Sequence, residues 1–237
     1  GSFCMNTEQK IIFQAPFFQK YEDDFIFNKK KEYKVIKYKK TKNLYDALVL
    51  SLRDYVNNSN FSSIILGISG GIDSALSATI ASDAVGNKNV KGFFLPSLYT
   101  SKESKEDSEK LSKNLGIKLE IIEIESLRKT YNKTLSKIFS KYSEDITEEN
   151  IQSRIRGSVL MALSNKFGSL LLTTGNKSEF AVGYSTIYGD MCGGFSILKD
   201  VYKSEVFMLS KWRNNIYTEL CLNKEKGLIP QNLIFKE

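Results

Sequence analysis

One short stretch, LGISGGIDSAL at residues 66–76, combines residue types that can bind a phosphate group. Two adjacent glycines, Gly70 and Gly71, allow the backbone to turn its N–H groups towards one point, and the helix predicted to follow adds partial positive charge there. Ser69 and Ser74 can donate hydroxyl hydrogen bonds to the same anion. The stretch therefore predicts a cradle for an oxyanion as large as pyrophosphate.

Asp73 places a carboxylate inside this cradle, where it would repel a bound phosphate. A divalent cation such as Mg²⁺ between the two would convert the repulsion into a bridge, because magnesium takes both carboxylate and phosphate oxygens as ligands. An aspartate here can also serve only as the cap of the helix. The order strand, SGGxDS, helix favours a metal-assisted phosphate site over the cap.

The loop matches neither of the two commonest nucleotide-binding motifs. A Walker loop requires GxxxxGK followed by Ser or Thr, and the dinucleotide fingerprint requires GxGxxG. The stretch GISGG at residues 67–71 has no such lysine and has the wrong glycine spacing.

The complete absence of histidine limits the chemistry further. It excludes Ser-His-Asp and Cys-His mechanisms and most zinc sites. Catalysis in this chain must use carboxylates, lysines, arginines, backbone amides or a hard metal such as magnesium.

The composition predicts a cytoplasmic protein without a membrane span. The 237 residues are 41% hydrophobic, which is enough for one medium-sized core. No apolar run reaches the roughly 18 residues that a transmembrane helix needs, and the first residues do not resemble a signal peptide. The three cysteines form no CxxC pair, and their odd number argues against a disulfide framework.

The whole net charge of +7 comes from one segment, residues 29–42, which holds eight lysines and one glutamate. The rest of the chain is balanced, so no nucleic-acid partner is expected for the fold as a whole. The segment fits a solvated linker or an exposed strand edge, and contact with a nucleic acid or another anionic surface is the alternative.

The pattern of apolar residues changes near residue 40. Before it, short apolar groups at 11–13, 17–18 and 25–27 predict two or three strands that are too few to fold alone. After it, strands and helices alternate, which predicts a parallel sheet with ligands beyond the carboxyl ends of its strands. The predicted strands are 64–66, 90–95, 117–124 and 170–173. Four of the predicted helices are 44–56, 73–85, 101–115 and 127–142, and a fifth ends near 167. Gly86 is predicted to end the second helix as a left-handed cap, and Thr147 to cap the start of the fifth.

The motif SGGIDS resembles the pyrophosphate loop of ATP pyrophosphatases, which cleave ATP between its α and β phosphates. Three further segments resemble NAD synthetase in particular, and the likeness covers about residues 41–236: EENIQSRIRG (148–157), TTGNKSEFAVGYSTIYGD (173–190) and LKDVYKSEV (198–206). The resemblance implies a doubly wound parallel sheet with flanking helices, of the adenine-nucleotide alpha-hydrolase-like fold. Ile187 stands where ammonia-only enzymes usually have lysine, which favours the glutamine-dependent branch.

The resemblance also implies roles for individual residues. ATP would contact Gly67, Ser69, Gly70, Gly71, Ile72, Asp73, Ser74, Thr174 and Lys203. Asp73 and Glu179 would bind Mg²⁺, and Lys203 would neutralise the phosphates, which makes these three the catalytic residues. From the residues alone, Lys203 can be only an exposed helix charge, and Glu179 only a surface residue of the next helix.

The same resemblance implies that the substrate is bound by Asn150, Arg154, Glu179 and Asp190. Asn150 and Arg154 are four residues apart and therefore share one helix face, and a guanidinium suits a phosphate or carboxylate. Arg154 can also be only an exposed helix charge.

The implied reaction is the ATP-dependent amidation of deamido-NAD to NAD through an acyl-adenylate, with release of AMP and pyrophosphate. The nitrogen would come from ammonia, free or derived from glutamine, and two copies of the domain would pair or form a larger homo-oligomer. Another ATP pyrophosphatase, such as GMP synthetase or a tRNA-modifying enzyme, or a fragment that only binds nucleotide, is the alternative.

The resemblance divides the chain in two. Residues 1–40 are expected to be edge strands left from a glutaminase domain together with a basic linker, since residues 1–18 resemble the end of that domain. Residues 41–237 are expected to form the synthetase domain and to stop before its terminal segment.

Overall fold

Strands and helices alternate along most of the chain in the computed structural model, which describes residues 1–22 and 36–235. The strands are β1 (Phe3–Met5), β2 (Ile11–Gln14), β3 (Ile64–Gly67), β4 (Val90–Phe94), β5 (Lys118–Ile121), β6 (Leu170–Thr173) and β7 (Phe195–Ser196). The helices are α1 (Lys40–Asn58), α2 (Ile72–Val85), α3 (Lys102–Leu115), α4 (Glu125–Phe139), α5 (Ile146–Phe167), α6 (Lys177–Val182), α7 (Lys203–Asn215) and α8 (Gln231–Phe235).

The main sheet has five parallel strands in the order β5-β4-β3-β6-β7. The chain adds strands on one side of β3 as far as β5 and then returns to the other side with β6. The point between β3 and β6, where the strand order reverses, is where open α/β sheets bind their ligands. The predicted doubly wound parallel sheet is confirmed.

Two apolar layers cover the sheet, and its three central strands, β3, β4 and β6, are almost entirely buried between them. On one face, Leu66 and Leu172 pack against buried residues of α1, α2, α3 and α7. On the other face, Ile65 and Leu171 pack against Ile151 and Ile155 of α5. Burial on both faces explains why these strands read as continuous apolar runs.

The four strands predicted after residue 40 are confirmed, with small changes at their ends, and so are the five predicted helices. Thr147 as a helix cap is wrong, because Asp145 accepts the Thr147 N–H and Glu148 accepts the Asp145 N–H in a capping box. Gly86 ends α2 with φ of 84°, but its ψ of 147° is extended, so the left-handed cap is also wrong.

The first residues form an antiparallel hairpin of β1 and β2, a sheet separate from the main one. The strand predicted at residues 11–13 is confirmed, whereas residues 17–18 form a turn in which Phe18 has a φ of 57°. The strand predicted at residues 25–27 and most of the lysine-rich segment lie outside the described residues. Within the described part of the chain, no helix has the length and apolar character to cross a membrane.

Candidate active site

The glycine loop leaves the end of β3, crosses the switch point and starts α2, as the sequence predicts. Gly70 has a φ of 77°, and a Cβ there would lie 2.5 Å from the backbone oxygen of Ser104, so only glycine fits between the loop and α3. Gly71 is the N-cap of α2, without a side-chain cap hydrogen bond. Asp73 therefore does not cap the helix.

Two serine hydroxyls stabilise the loop from inside. Ser74 Oγ donates to the Gly71 carbonyl oxygen at 2.9 Å and lies 3.1 Å from Ser69 Oγ. Ser69 Oγ also accepts the Gly71 N–H at 3.2 Å. Ser74 is buried, so in this arrangement its hydroxyl holds the loop in shape instead of facing a ligand.

Asp73 lies at the centre of a polar group that we call the Asp73 cluster: Asp73, Asn176, Glu179 and Lys203. Lys203 Nζ forms an ion pair with Asp73 Oδ2. Asn176 Nδ2 donates to Asp73 Oδ1 at 2.9 Å. The cluster joins α2, α6 and α7, so elements far apart in sequence meet at the end of the glycine loop.

Asn176 holds the cluster together and was not singled out in the sequence. It is fully buried, its Oδ1 accepts the N–H groups of Ser178 and Glu179, and its own N–H donates to Glu179 Oε2 at 3.0 Å. This is a capping box for α6. The Asn-x-x-Glu spacing ahead of an apolar pair is a signal that sequence reading could have used.

Burial raises the pKa of the Glu179 carboxyl, and the nearby charge of Asp73 raises it further, while the Asn176 N–H and Lys203 act against this. Within the described residues, Lys203 forms an ion pair with Asp73 only, so the two carboxylates together can attract a further cation. Magnesium commonly uses one or two carboxylates and completes its shell with phosphates and waters. Asp73 and Glu179 fit that pattern, and among the described residues no group of three or more His, Cys, Asp or Glu side chains could hold a metal by itself.

A cleft of about 660 Å³, which we call the central cleft, opens beyond the carboxyl ends of β3, β4 and β6. Five of the predicted site residues line this one space: Gly67, Ser69, Thr174, Asn150 and Asp190. The remaining predicted residues are not part of its lining: Gly70, Gly71, Ile72, Asp73, Ser74, Arg154, Glu179 and Lys203.

One wall of the central cleft is the loop 183–192 packed on α5. Thr186 Oγ1 donates to Asn150 Oδ1 at 2.8 Å, and the Thr186 N–H donates to Asp190 Oδ1 at 2.8 Å. Arg154 is exposed, and its Nε donates to the Ile187 carbonyl oxygen at 3.2 Å. Asn150 and Arg154 therefore contact the same loop, as their shared helix face predicts.

The loop 183–192 packs closely against α5 at two glycines, Gly157 and Gly189. A Cβ on Gly157 would lie 2.7 Å from the Gly189 carbonyl oxygen, and a Cβ on Gly189 would lie 2.3 Å from Ser153 Oγ. Glycine at both positions is thus a packing requirement of this wall.

The sequence model of the NAD synthase family matches residues 44–237 of the chain. The chain belongs to the NAD synthase family. The predicted family resemblance is confirmed over the stretch that forms the five-stranded sheet.

Two similar relatives are named glutamine-dependent NAD(+) synthetases. The chain is 52% identical to the glutamine-dependent NAD(+) synthetase of Thermotoga maritima over 193 residues, which are 81% of this chain and 32% of that protein. It is 44% identical to the enzyme of Acinetobacter baylyi over 245 residues, covering 99% of this chain and 43% of the relative. The chain thus spans less than half the length of these relatives.

A solved structure has the same fold. The glutamine-dependent NAD+ synthetase of Acinetobacter baumannii, in complex with ADP, superimposes with a TM-score of 0.80 at 46% identity, over 86% of this chain and 37% of that one. The adenine-nucleotide alpha-hydrolase-like fold expected from the sequence is therefore confirmed for this NAD synthase family member.

The buried contact between Asn176 and Asp73 can be tested in this family member by two substitutions that both keep the cap of α6. Asn176→Ser removes the amide donor, whereas Asn176→Asp removes it and places a carboxylate against Asp73 and Glu179. We expect the Asp variant to be less stable than the Ser variant by on the order of 1–2 kcal/mol at neutral pH. Urea unfolding measures the difference, and equal stability of the two variants would contradict the contact.

Proposed function

We propose that this chain catalyses the ATP-dependent amidation of deamido-NAD to NAD. The observation that carries the proposal is the Asp73 cluster beside the glycine loop, at the switch point of the sheet, in a chain of the NAD synthase family. A phosphate loop with an adjacent carboxylate pair suits ATP with a divalent cation, and the central cleft has room for the reacting groups.

The reaction proceeds in two steps. A carboxylate oxygen of the nicotinate group attacks the α-phosphorus of ATP, and the bond to the β-phosphate oxygen breaks, which gives an acyl-adenylate and pyrophosphate. Ammonia then attacks the acyl carbon, loses a proton, and displaces AMP to leave the amide of NAD. Neither step needs a histidine.

The protein contributes orientation and charge in both steps. The loop N–H groups and the start of α2 stabilise the phosphates, and Lys203 Nζ neutralises part of the charge on the departing pyrophosphate. Asp73 and Glu179 would hold Mg²⁺, which would supply charge neutralisation on the ATP phosphates. Thr174 lies in the wall of the cleft where ATP is expected.

The loop 183–192 and α5 form the substrate side of the site. Asn150 and Asp190 line the central cleft and contact deamido-NAD, and Arg154 contacts it from the adjoining surface. The loop, packed on α5, excludes water from the acyl-adenylate, which would otherwise hydrolyse.

The proposal extends to the organisation of the chain. Residues 1–40 are the end of a glutaminase domain with a basic linker, and residues 41–237 are the synthetase domain. The separate hairpin of β1 and β2 supports this division, as does the alignment with the Acinetobacter baylyi enzyme over 99% of the chain. Two copies are expected to pair, and exposed Leu127, Tyr131 and Ile138 on α4 offer an apolar face.

The test is an omission experiment with the purified chain, ATP, Mg²⁺, deamido-NAD and ammonium. We expect one AMP and one pyrophosphate for each NAD formed, measured by chromatography, and no AMP when deamido-NAD is left out. With ammonium left out, labelled pyrophosphate should still exchange into ATP, because the adenylate forms first. Release of ADP and phosphate, or AMP formation that does not depend on deamido-NAD, would contradict the proposal.

A further inference from the structure

A cation that the sequence pattern did not single out lies at the wall of the central cleft. Arg156 of α5 is half-buried and lines both the central cleft and a neighbouring cleft of about 500 Å³. Its Nε donates to the Leu95 carbonyl oxygen at 3.0 Å, and its Nη2 lies 3.5 Å from Ser97 Oγ. These contacts orient the guanidinium at the carboxyl end of β4.

This charge is not neutralised within the described residues. No carboxylate there lies within ion-pair distance of Arg156, and its Nη1 has no hydrogen-bond partner there. Burial lowers the pKa of the guanidinium, and the acidic residues that line the neighbouring cleft with it, Glu144, Asp145, Glu148 and Glu149, form no ion pair with it. A half-buried cation without a counterion is costly unless a ligand supplies the negative charge.

Arg154, two residues earlier, differs from Arg156 in exposure and position. It is exposed, it is not part of the central-cleft lining, and its Nε donates to a backbone carbonyl of the loop 183–192. Of the two arginines, Arg156 is therefore the one whose guanidinium can meet a ligand inside the cleft.

The proposed reaction also requires positive charge at this place. It brings together two anions, a carboxylate and the α-phosphate of ATP, and their mutual repulsion opposes the attack. Lys203 lies at the Asp73 cluster, on the β6 side of the glycine loop, whereas Arg156 lies on the β4 side. A cation on each side of the loop would reduce the repulsion between the two reactants.

We propose that Arg156 binds an anionic oxygen of the reacting pair in the central cleft, either the α-phosphate of the nucleotide or the carboxylate of the dinucleotide. The proposal rests on the function proposed above. Under this proposal Arg156 contacts the substrate. In a purely structural role it would only make its contacts with the Leu95 carbonyl oxygen and Ser97 Oγ.

Binding measurements with matched ligand pairs test this without any turnover. AMP and adenosine differ by the α-phosphate, and deamido-NAD and NAD differ by a carboxylate in place of an amide. We expect the unmodified chain to prefer the anionic member of at least one pair. Arg156→Gln keeps a donor for the Leu95 carbonyl and removes the charge, so it should reduce that preference about 10-fold or more.

Further variants separate charge from structure. Arg156→Lys keeps the charge without the planar fork and should retain part of the preference. Lys110→Gln removes an exposed positive charge on α3 and should change neither preference. Thermal unfolding confirms that each variant is folded, and if Arg156→Gln does not fold, Arg156→Lys still has to show a reduced preference.

The possible results distinguish this inference from the proposed function. Loss of the AMP preference assigns Arg156 to the α-phosphate, and loss of the deamido-NAD preference assigns it to the carboxylate. If Arg156→Gln leaves both preferences intact, or weakens adenosine as much as AMP, this inference is wrong while the proposed function stands. If the unmodified chain binds none of these ligands, both are wrong.

Discussion

Replacing Asp73 by asparagine should reduce NAD formation by about 10²–10³-fold, the scale expected when one preorganised electrostatic group is removed from a reacting centre. Asparagine has the same shape but carries no charge, so the change removes the anionic ligand that we propose for Mg²⁺ and the ion-pair partner of Lys203. A neutral amide is a much weaker ligand for a hard cation than a carboxylate.

The stability of this variant should change little compared with its activity. Lys203 is 41% exposed, so water can solvate its ammonium once the partner is gone. The assay is the rate of AMP release at several Mg²⁺ concentrations, and we expect the Mg²⁺ requirement to rise. Asp54→Asn, the same substitution at an exposed position on α1, is the matched control. A variant with normal rate and Mg²⁺ dependence would rule out Asp73 as the metal ligand.

The elements around this carboxylate could be predicted because their signals are local. Three consecutive apolar residues before a glycine-rich turn predict β3, and the small residues after Asp73 predict α2. A local signal can still point to the wrong residue, as the N-cap of α5 shows. Thr147 looked like a cap, but Asp145 provides an anionic acceptor two residues earlier, and an anion is favoured at the positive end of a helix.

Residues whose roles depend on distant partners could not be predicted in the same way. Arg156 is one of two arginines in the sequence SRIRG, and only the fold shows which one lines the cleft. The two apolar residues at 17–18 were too short a signal, since a pair of phenylalanines gives no periodicity. Asp83 did carry a signal, because a carboxylate inside the apolar helix α2 needs a buried partner. Its partner is 130 residues away and could not be identified.

That partner is Arg213, and the pair joins α2 and α7, the helices that carry the proposed site residues Asp73 and Lys203. Arg213 donates to both oxygens of Asp83, at 2.7 and 3.0 Å, and both side chains are fully buried. Tyr45 also donates to Asp83 at 2.6 Å, and the carbonyls of Asn223 and Glu225 accept from Arg213. The charges are thus satisfied inside the core, as burial of charge requires.

The geometry connects this ion pair to the site. Asp73 and Asp83 lie ten residues apart on α2, and Lys203 and Arg213 have the same spacing on α7. Ten helical residues span about 15 Å, so the two helices are joined once in the core and once at the Asp73 cluster, about 15 Å apart. We infer that the buried pair fixes how far α7 can slide along α2, and hence where Lys203 meets Asp73.

Asp83→Asn should therefore destabilise the protein by about 3–5 kcal/mol, because it leaves Arg213 as a buried charge without a counterion. The free energy of unfolding in urea gives this value, and Glu106→Gln, which breaks an exposed pair with Lys102, should leave it almost unchanged. Asp83→Leu combined with Arg213→Met should cost less than the sum of the two single changes, since neither charge then remains unpaired. If the cost of the double change equals the sum of the two single costs, Asp83 and Arg213 do not act as a unit. The inference that this pair fixes where Lys203 meets Asp73 is then wrong.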